Sequence, residues 1–170
     1  MKIAILSDSH SKVALTNEAI EFLKLQGASY LVHAGDFGNE ENLEVVKNAE
    51  LPYVCVFGNN DYNLTEVAHK YNIHKEPYNF KIKDVSFTLM HMPYYMNSQS
   101  NVVLFGHTHI FEHDYKNGTL FLNPGEICAR EKPLSECVLL EINENEYIIH
   151  YYFKNINSKE YERKEIKYEK

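Results

Sequence analysis

Acidic, amide and imidazole side chains occur in this sequence in short clusters, each of which follows an apolar run. The clusters are Asp8-Ser9-His10, Gly35-Asp36, Gly58-Asn59-Asn60-Asp61, His91 and Gly106-His107-Thr108-His109. Carboxylate and amide oxygens with neutral imidazoles, and without thiolates, are typical ligands of divalent cations such as Mn²⁺, Fe²⁺ and Zn²⁺. These residue types and their grouping therefore predict a metal centre.

The number and spacing of the candidate ligands favour two ions over one. The candidates are Asp8, His10, Asp36, Asn59, His91, His107 and His109, more than one ion needs. Two ions about 3.5–4 Å apart would use them if one carboxylate bridged both, and Asp36 is the natural bridge. In an extended segment, His107 and His109 would point to the same side, roughly 6–7 Å apart, so that each serves one ion. Gly106 would let the backbone turn sharply before them.

The elements that must position these residues alternate in the first half of the chain. Short apolar runs predict strands at Lys2 to Leu6, Tyr30 to His33 and Tyr53 to Phe57, and helical spacing predicts helices around 15–23, 43–46 and 64–71. Alternating strands and helices indicate parallel βαβ units. Because ligands of such sheets bind at the carboxyl ends of the strands, the clusters should meet at one edge.

The second half predicts mainly short strands, at 80–83, 86–91, 101–105, 111–115, 119–122, 136–142 and 147–153. Lys116-Asn117-Gly118 favours a hairpin turn, because Asn and Gly tolerate positive φ. The expected structure is an α/β protein with two sheets and helices outside them. Residues 1–170 are predicted to form a single domain, with 154–170 as a charged C-terminal tail that an edge strand, a helix or a mobile segment would fit equally.

Composition narrows the function classes. A chain of 170 residues with 44% hydrophobic content suits one compact core. The net charge of −7 argues against binding to a nucleic-acid backbone or an anionic membrane. Three cysteines without a pairing pattern, no secretory signal and no membrane span predict a cytoplasmic protein. The remaining histidines are predicted to be structural or surface residues: His33, His69, His74, His113 and His150.

The ordered clusters resemble those of the calcineurin-like metallophosphoesterase superfamily, over roughly residues 1–130. Small size and Asn123-Pro124-Gly125 are most similar to its bacterial and archaeal phosphodiesterase branch. The resemblance implies a metallophosphoesterase-type fold, a four-layer α/β/β/α sandwich. It assigns Asp8, His10, Asp36 and His109 to one metal, and Asp36, Asn59, His91 and His107 to the other.

The resemblance also implies a reaction, in which a hydroxide bridging two cations attacks phosphorus in a small phosphodiester or phosphomonoester. The expected ions are manganese first, with nickel, iron, cobalt and zinc as alternatives. The candidate catalytic positions are Asp61, Asn60 and His10, and the candidate substrate contacts are Asn59 and Arg130. Relatives often carry a proton-donating histidine where this chain has Asn60, which gives up no proton at neutral pH. An exposed salt bridge is an equally good prediction for Arg130.

Two other functions stay open at this stage. A protein-binding scaffold would keep the sandwich and lose ligands, whereas every ligand position is filled here. A nuclease is disfavoured by the negative charge, although short oligonucleotides remain open as substrates, as does a homo-oligomeric state. The segment 93–100 is too short for the helix usually found there in the family.

Overall fold

Two β-sheets face each other in a computed structural model of the chain, which describes residues 1–94, 96 and 99–170. One sheet has seven strands in the order β12-β11-β10-β1-β2-β3-β4, and the other has five in the order β5-β6-β7-β9-β8. The strands are β1 Lys2–Leu6, β2 Tyr30–His33, β3 Tyr53–Val56, β4 Ile73–His74, β5 Tyr78–Ile82, β6 Val85–Leu89, β7 Val102–Leu104, β8 Phe111–Lys116, β9 Thr119–Pro124, β10 Leu134–Ile142, β11 Glu146–Asn155 and β12 Glu162–Glu169. The helices are α1 Val13–Leu25 and α2 Glu40–Lys47.

The first half of the chain forms the predicted parallel units. β1 pairs with β2, β2 with β3 and β3 with β4, all in parallel. Side chains alternate across these strands, so one set packs under α1 and α2 and the other set faces the second sheet. Leu6, Leu31 and Cys55 belong to the core beneath the helices, whereas Ile5 and Val32 belong to the core between the sheets.

The five-stranded sheet completes the inner core with Phe87, Leu89, Leu104 and Leu122, all 0% exposed. Its β8–β9 hairpin closes at Asn117 and Gly118, which have φ values of 53° and 79°. Positive φ at both positions is the requirement of a tight hairpin turn, so the sequence prediction is confirmed.

The α/β class with two facing sheets is as predicted, and the helices are unevenly distributed over it. Both α-helices of the described residues pack on the seven-stranded sheet. On the other side, Met90, Val103 and Phe105 form a small cluster with Met96 and Phe121. Part of the short segment 93–100, namely Tyr95, Asn97 and Ser98, lies outside the described residues.

The helix predicted around 64–71 is wrong. Two 3₁₀ turns, Tyr62–Leu64 and Ala68–Lys70, stand in its place. Asp61 precedes this segment and has the right side chain for a helix N-cap, but its carboxylate accepts hydrogen bonds from the backbone of Gly38 and Gly58 instead. Asp61 thus joins two loops of the sheet edge and does not start a helix.

The charged segment 154–170 contributes an edge strand. β12 pairs antiparallel with β11 over eight residues, from Phe153↔Glu162 to Glu146↔Glu169. Of the three alternatives left by the sequence, the edge strand is the one found. Neither α-helix among the described residues is long and apolar enough to cross a membrane.

Candidate metal centre

The loops that follow β1, β2, β3, β6 and β7 meet at one edge of the sandwich and bring the candidate ligands together. In the first donor group, His10 Nε2 lies 3.2 Å from His109 Nε2. Asp8 Oδ1 lies 3.3 Å from His109 Nε2 and 3.8 Å from His10 Nε2. Three residues from two loops that are distant in the sequence thus direct donor atoms at one point.

The second donor group is built around Asn59. Its Oδ1 atom lies 3.0 Å from His91 Nε2 and 2.9 Å from His107 Nδ1. The Nδ1–H of His91 donates to the carbonyl oxygen of Ala34 at 2.8 Å, so in the neutral ring the Nε2 atom carries a lone pair. His91 Nε2 and Asn59 Oδ1 are then both electron-rich, and a proton or a cation between these two atoms makes their contact favourable.

Asp36 lies between the two groups. Its Oδ2 atom is 3.5 Å from His10 Nε2, and its Oδ1 atom is 3.5 Å from His91 Nε2. Asn60 holds this carboxylate in place, because its backbone N–H donates to Oδ1 at 2.9 Å and its Nδ2 donates to Oδ2 at 2.7 Å. The side chain of Asn60 therefore positions Asp36.

The donor atoms fit divalent cations. Two imidazole nitrogens bound tetrahedrally to one ion at about 2.0–2.1 Å stand about 3.3 Å apart, close to the 3.2 Å between His10 and His109. Asp8 Oδ1 is buried and has no hydrogen-bond partner among the described residues, although a buried carboxylate oxygen without one is costly. A cation at this point would satisfy it.

The backbone conformations of the candidate ligands differ from the predicted extended segments. Positive φ values occur at Asp8, His10, Asp36, His107 and His109, between 39° and 68°. Non-glycine residues adopt this left-handed conformation at a cost of order 1 kcal/mol or more each, and such strain concentrates at functional sites. His107 and His109 still reach different donor groups, but by a left-handed turn and not by extended spacing.

Gly106 begins a tight turn, as predicted, in which the backbone N–H of Thr108 donates to the Gly106 carbonyl oxygen at 2.8 Å. A Cβ atom there would stand 2.0 Å from Ser7 Oγ and 2.9 Å from Asp8 Oδ2. The missing side chain therefore gives room for Asp8, whose Oδ2 accepts the backbone N–H of His107 at 3.1 Å. This hydrogen bond joins Asp8, a residue of the first donor group, to His107, a residue of the second.

Burial and charge pairing act in opposite directions on the ionisable ligands. Burial raises the pKa of Asp8 and lowers the pKa of His10. At Asp36, burial opposes ionisation, but hydrogen bonds and the charge of His91 outweigh it and hold the pKa well below its usual range. At His91, burial is outweighed by the Asp36 carboxylate, so the pKa is raised. These shifts favour an ionised Asp36 with a positive charge beside it.

Comparison with known proteins agrees with this geometry. The family model of the calcineurin-like phosphoesterase superfamily domain matches residues 1–145. The chain belongs to this superfamily. The resemblance predicted from the sequence is confirmed, and membership implies divalent metal ions, for which the described residues offer candidate groups.

Individual relatives of this metallophosphoesterase include an archaeal phosphodiesterase. The phosphodiesterase MJ0936 of Methanocaldococcus jannaschii is 25% identical over 160 residues, covering 86% of this chain and 96% of that protein. Wild-type Vps29 of Entamoeba histolytica, solved with Zn²⁺, has a TM-score of 0.71 at 18% identity and covers 98% of this chain and 99% of its own. The E. coli phosphoesterase YfcE has a TM-score of 0.68 at 20% identity, covering 86% and 91%. The two structures support the metallophosphoesterase fold.

Other predicted site residues surround the metallophosphoesterase donor groups. Asp61 is buried and uses both oxygens on the N–H groups of Gly38 and Gly58, at 2.9 and 2.8 Å. It therefore fixes the two loops that carry Asp36 and Asn59. Arg130 lies at the rim of the cleft, 61% exposed, with Nε 4.0 Å from Glu131 Oε1. This weak exposed pair leaves its guanidinium available to an anion.

Two carboxylates that support ligands were missed by sequence reasoning. Glu126 is fully buried and accepts the Nδ1–H of His109 at 2.6 Å, which leaves Nε2 of that ring free to bind a cation. Glu76 accepts the backbone N–H groups of His91 and Met92 at 2.6 and 2.8 Å. A carboxylate directly after Asn123-Pro124-Gly125, at the end of a buried strand, was the available signal for Glu126.

Proposed function

We propose that the chain is a phosphodiesterase that uses two divalent cations, with manganese as the first candidate and nickel, iron, cobalt and zinc as alternatives. Asp8, His10, Asp36 and His109 would hold one ion, and Asp36, Asn59, His91 and His107 the other. The observation that carries the proposal is the position of Asp36, whose two oxygens each lie 3.5 Å from a histidine of a different donor group. A carboxylate in this position can serve two cations at once.

The bound cations would lower the pKa of a water molecule, supply it as the nucleophile, and neutralise the charge on the phosphate oxygens. The protein contributes the positions of the groups. Asn60 and Asp61 hold the loops of Asp36 and Asn59, and Glu126 holds the His109 ring. Arg130 at the rim is placed to bind a phosphate oxygen, since a guanidinium recognises phosphate through paired hydrogen bonds.

The substrate in this proposal is a small phosphodiester, with phosphomonoesters and short oligonucleotides as lesser substrates. The donor cleft, lined by His10, Asp36, Asn59, Asn60, His107, Thr108, His109, Ile110, Arg130 and Glu131, is open on the surface. The similarity to an archaeal phosphodiesterase supports the diester. A cytoplasmic location is part of the proposal, and the buried, unpaired state of Cys55, Cys128 and Cys137 supports a reducing compartment.

The test is hydrolysis of bis-p-nitrophenyl phosphate and p-nitrophenyl phosphate by protein stripped of metal and reloaded with Mn²⁺, Ni²⁺ or Zn²⁺. Both substrates have acidic leaving groups, so Asn60 is no obstacle. Metal-dependent turnover with higher kcat/KM for the diester is the expected result. No turnover with any metal, despite two bound ions, would contradict the proposal and favour the protein-binding scaffold.

A further inference from the structure

We infer that the leaving group of the natural substrate is a phosphate, held in a second pocket beside the donor cleft. The substrate class is then a phosphoric anhydride, a pyrophosphate linkage between two organic groups. The inference rests on the proposed function, because the same donor groups act on the attacked phosphorus.

The second pocket adjoins the donor cleft. It is lined by Lys12, Leu15, Cys128, Ala129 and Ile156, and it shares His10 and Arg130 with the cleft. There is therefore room for a substrate whose phosphorus lies among the donor groups to extend past Arg130 towards Lys12. The alternative exit from the cleft, past Thr108 and Ile110, offers no cationic side chain among the described lining residues.

Two cations mark this path in a chain of net charge −7. The Lys12 side chain is exposed, and it has no hydrogen bond or ion pair with any residue that the structure describes. α1 begins directly after Lys12 and has no acidic residue in its first turn. Within the part of the chain that the structure describes, the Arg130 guanidinium has one ion pair, its weak contact with the exposed Glu131. The pocket thus combines uncompensated positive charge with the apolar side chains of Leu15 and Ile156, which suits a phosphate that carries an organic group.

Among the described residues that line the donor cleft, no side chain other than the imidazoles is a general acid for a leaving alkoxide. Asn60 is an amide, and its Nδ2 donates to Asp36. The hydroxyl of Thr108 donates to Glu112 at 3.1 Å. The imidazoles that line the cleft are assigned to cations by the proposed function. An alcohol leaves as an anion of pKa near 16, which is slow without a general acid, whereas a phosphomonoester with a second pKa of about 6 leaves without one.

In the resulting reaction, the oxygen of water forms a new bond to the attacked phosphorus, and the bridging P–O bond breaks. The electron pair of that bond stays on the bridging oxygen, which departs as part of the second phosphate. The water proton that is released passes to solvent. Lys12 and Arg130 stabilise the charge that develops on the departing phosphate, and no oxidant or reductant is involved.

The test compares three substrates with the Mn²⁺-loaded protein. Dithymidine 5′,5′-diphosphate has a phosphate leaving group, thymidylyl-(3′→5′)-thymidine has an alkoxide leaving group on the same nucleoside, and bis-p-nitrophenyl phosphate has an acidic leaving group without a second phosphate. We expect kcat/KM for the diphosphate to exceed that for the dinucleoside monophosphate by about 100-fold or more, the usual contribution of general acid catalysis.

Substitution of Lys12 tests whether the departing phosphate binds in the second pocket. Lys12→Gln should lower the ratio of kcat/KM for dithymidine diphosphate to that for bis-p-nitrophenyl phosphate by about 10-fold or more, the effect of losing one charged hydrogen bond. It should weaken binding of methylenediphosphonate, measured by calorimetry, to a similar degree. Lys24→Gln is the control, because Lys24 pairs with Glu21 at the other end of α1, and it should leave both quantities unchanged.

The outcomes distinguish a failure of the anhydride inference from a failure of the proposed function. If bis-p-nitrophenyl phosphate is hydrolysed but the two nucleoside substrates react equally, or Lys12→Gln changes nothing that Lys24→Gln does not, the anhydride inference is overturned and the proposed function stands. If none of the three substrates reacts with any metal, both are overturned.

Discussion

The Nε2 atoms of His10 and His109 lie 3.2 Å apart, although the residues are 99 positions apart in the sequence. The rings are stacked with centroids 5.0 Å apart. Because the Nδ1–H of His109 donates to Glu126, its Nε2 atom has a free lone pair when the ring is neutral. Two such nitrogens, with the unpartnered Oδ1 of Asp8 beside them, form a group that a cation stabilises.

Metal binding should therefore stabilise the fold. At a free concentration 100 times the dissociation constant, one bound ion adds about 2.7 kcal/mol to the free energy of unfolding. Urea denaturation with Mn²⁺ and with a chelator measures this difference. The increment should shrink in His109→Ala and persist in His69→Ala, an exposed histidine on a 3₁₀ turn. Equal stability of the wild type with and without metal would contradict the assignment.

The number of bound ions tests the division into two donor groups. His107→Ala removes a donor from the second group only, so one ion should remain and most activity should be lost. Asp36→Ala removes the carboxylate that faces both groups and should abolish binding of both ions. Elemental analysis after dialysis counts the ions, with His113→Ala as a control, because His113 contacts Tyr168 on another part of the sandwich. Two ions retained by His107→Ala would refute its role as a ligand.

Glu126 should control the affinity of the first ion. A carboxylate behind a metal-binding imidazole typically changes metal affinity 10–100-fold. Glu126 also accepts the backbone N–H groups of Glu131 and Lys132 at 2.9 and 3.1 Å, and a glutamine would present an NH₂ group to one of these donors. Glu126→Gln should therefore weaken one of the two Mn²⁺ binding steps by 10–100-fold and leave the other unchanged.

Competition with a fluorescent chelator measures that affinity. The matched control is Glu162→Gln, an exposed carboxylate on β12. Unchanged affinity in Glu126→Gln would mean that the His109 ring is fixed by packing alone.

The strand ends could be predicted from the sequence because local patterns determine them. Short apolar runs such as Lys2–Leu6 and Tyr30–His33 become strands with those same bounds. A parallel sheet then places their carboxyl ends at one edge, whatever the details of the loops. The positions of Asp8 and Asp36 at this edge were predictable for this reason.

The features that could not be predicted from the sequence depend on contacts between distant residues. The left-handed backbone at His107 and His109 follows from loops packed against Ser7 and Asp8, about 100 positions away. The Asp61 carboxylate, which precedes the predicted third helix, likewise binds the backbone of Gly38 and Gly58 and does not cap that segment. A local pattern carries no information on partners of this kind.

A buried histidine outside the ligand set predicts how stability depends on pH. His33 is 0% exposed. Its Nδ1 accepts the N–H of Gly35 at 3.2 Å and its Nε2–H donates to Ser9 Oγ at 2.7 Å, so both ring nitrogens are occupied in the neutral form. Burial lowers the pKa of His33 to about 3, whereas an unfolded histidine titrates near 6.5.

Between these values the unfolded chain binds a proton that the folded chain does not, so the stability due to neutral His33 is complete above pH 6.5 and is lost as the pH falls towards 3. The slope is about 1.4 kcal/mol per pH unit. In metal-free protein, the wild type should therefore lose about 1.6 kcal/mol more than His33→Gln between pH 6.5 and 5, because the slope reaches its full value only below pH 6. Urea denaturation at both pH values measures this difference. His69→Gln, which changes an exposed histidine, should keep the wild-type slope. Equal slopes for the wild type and His33→Gln would show that His33 is protonated in the folded protein, and the pair of hydrogen bonds to Gly35 and Ser9 would then need a different proton arrangement.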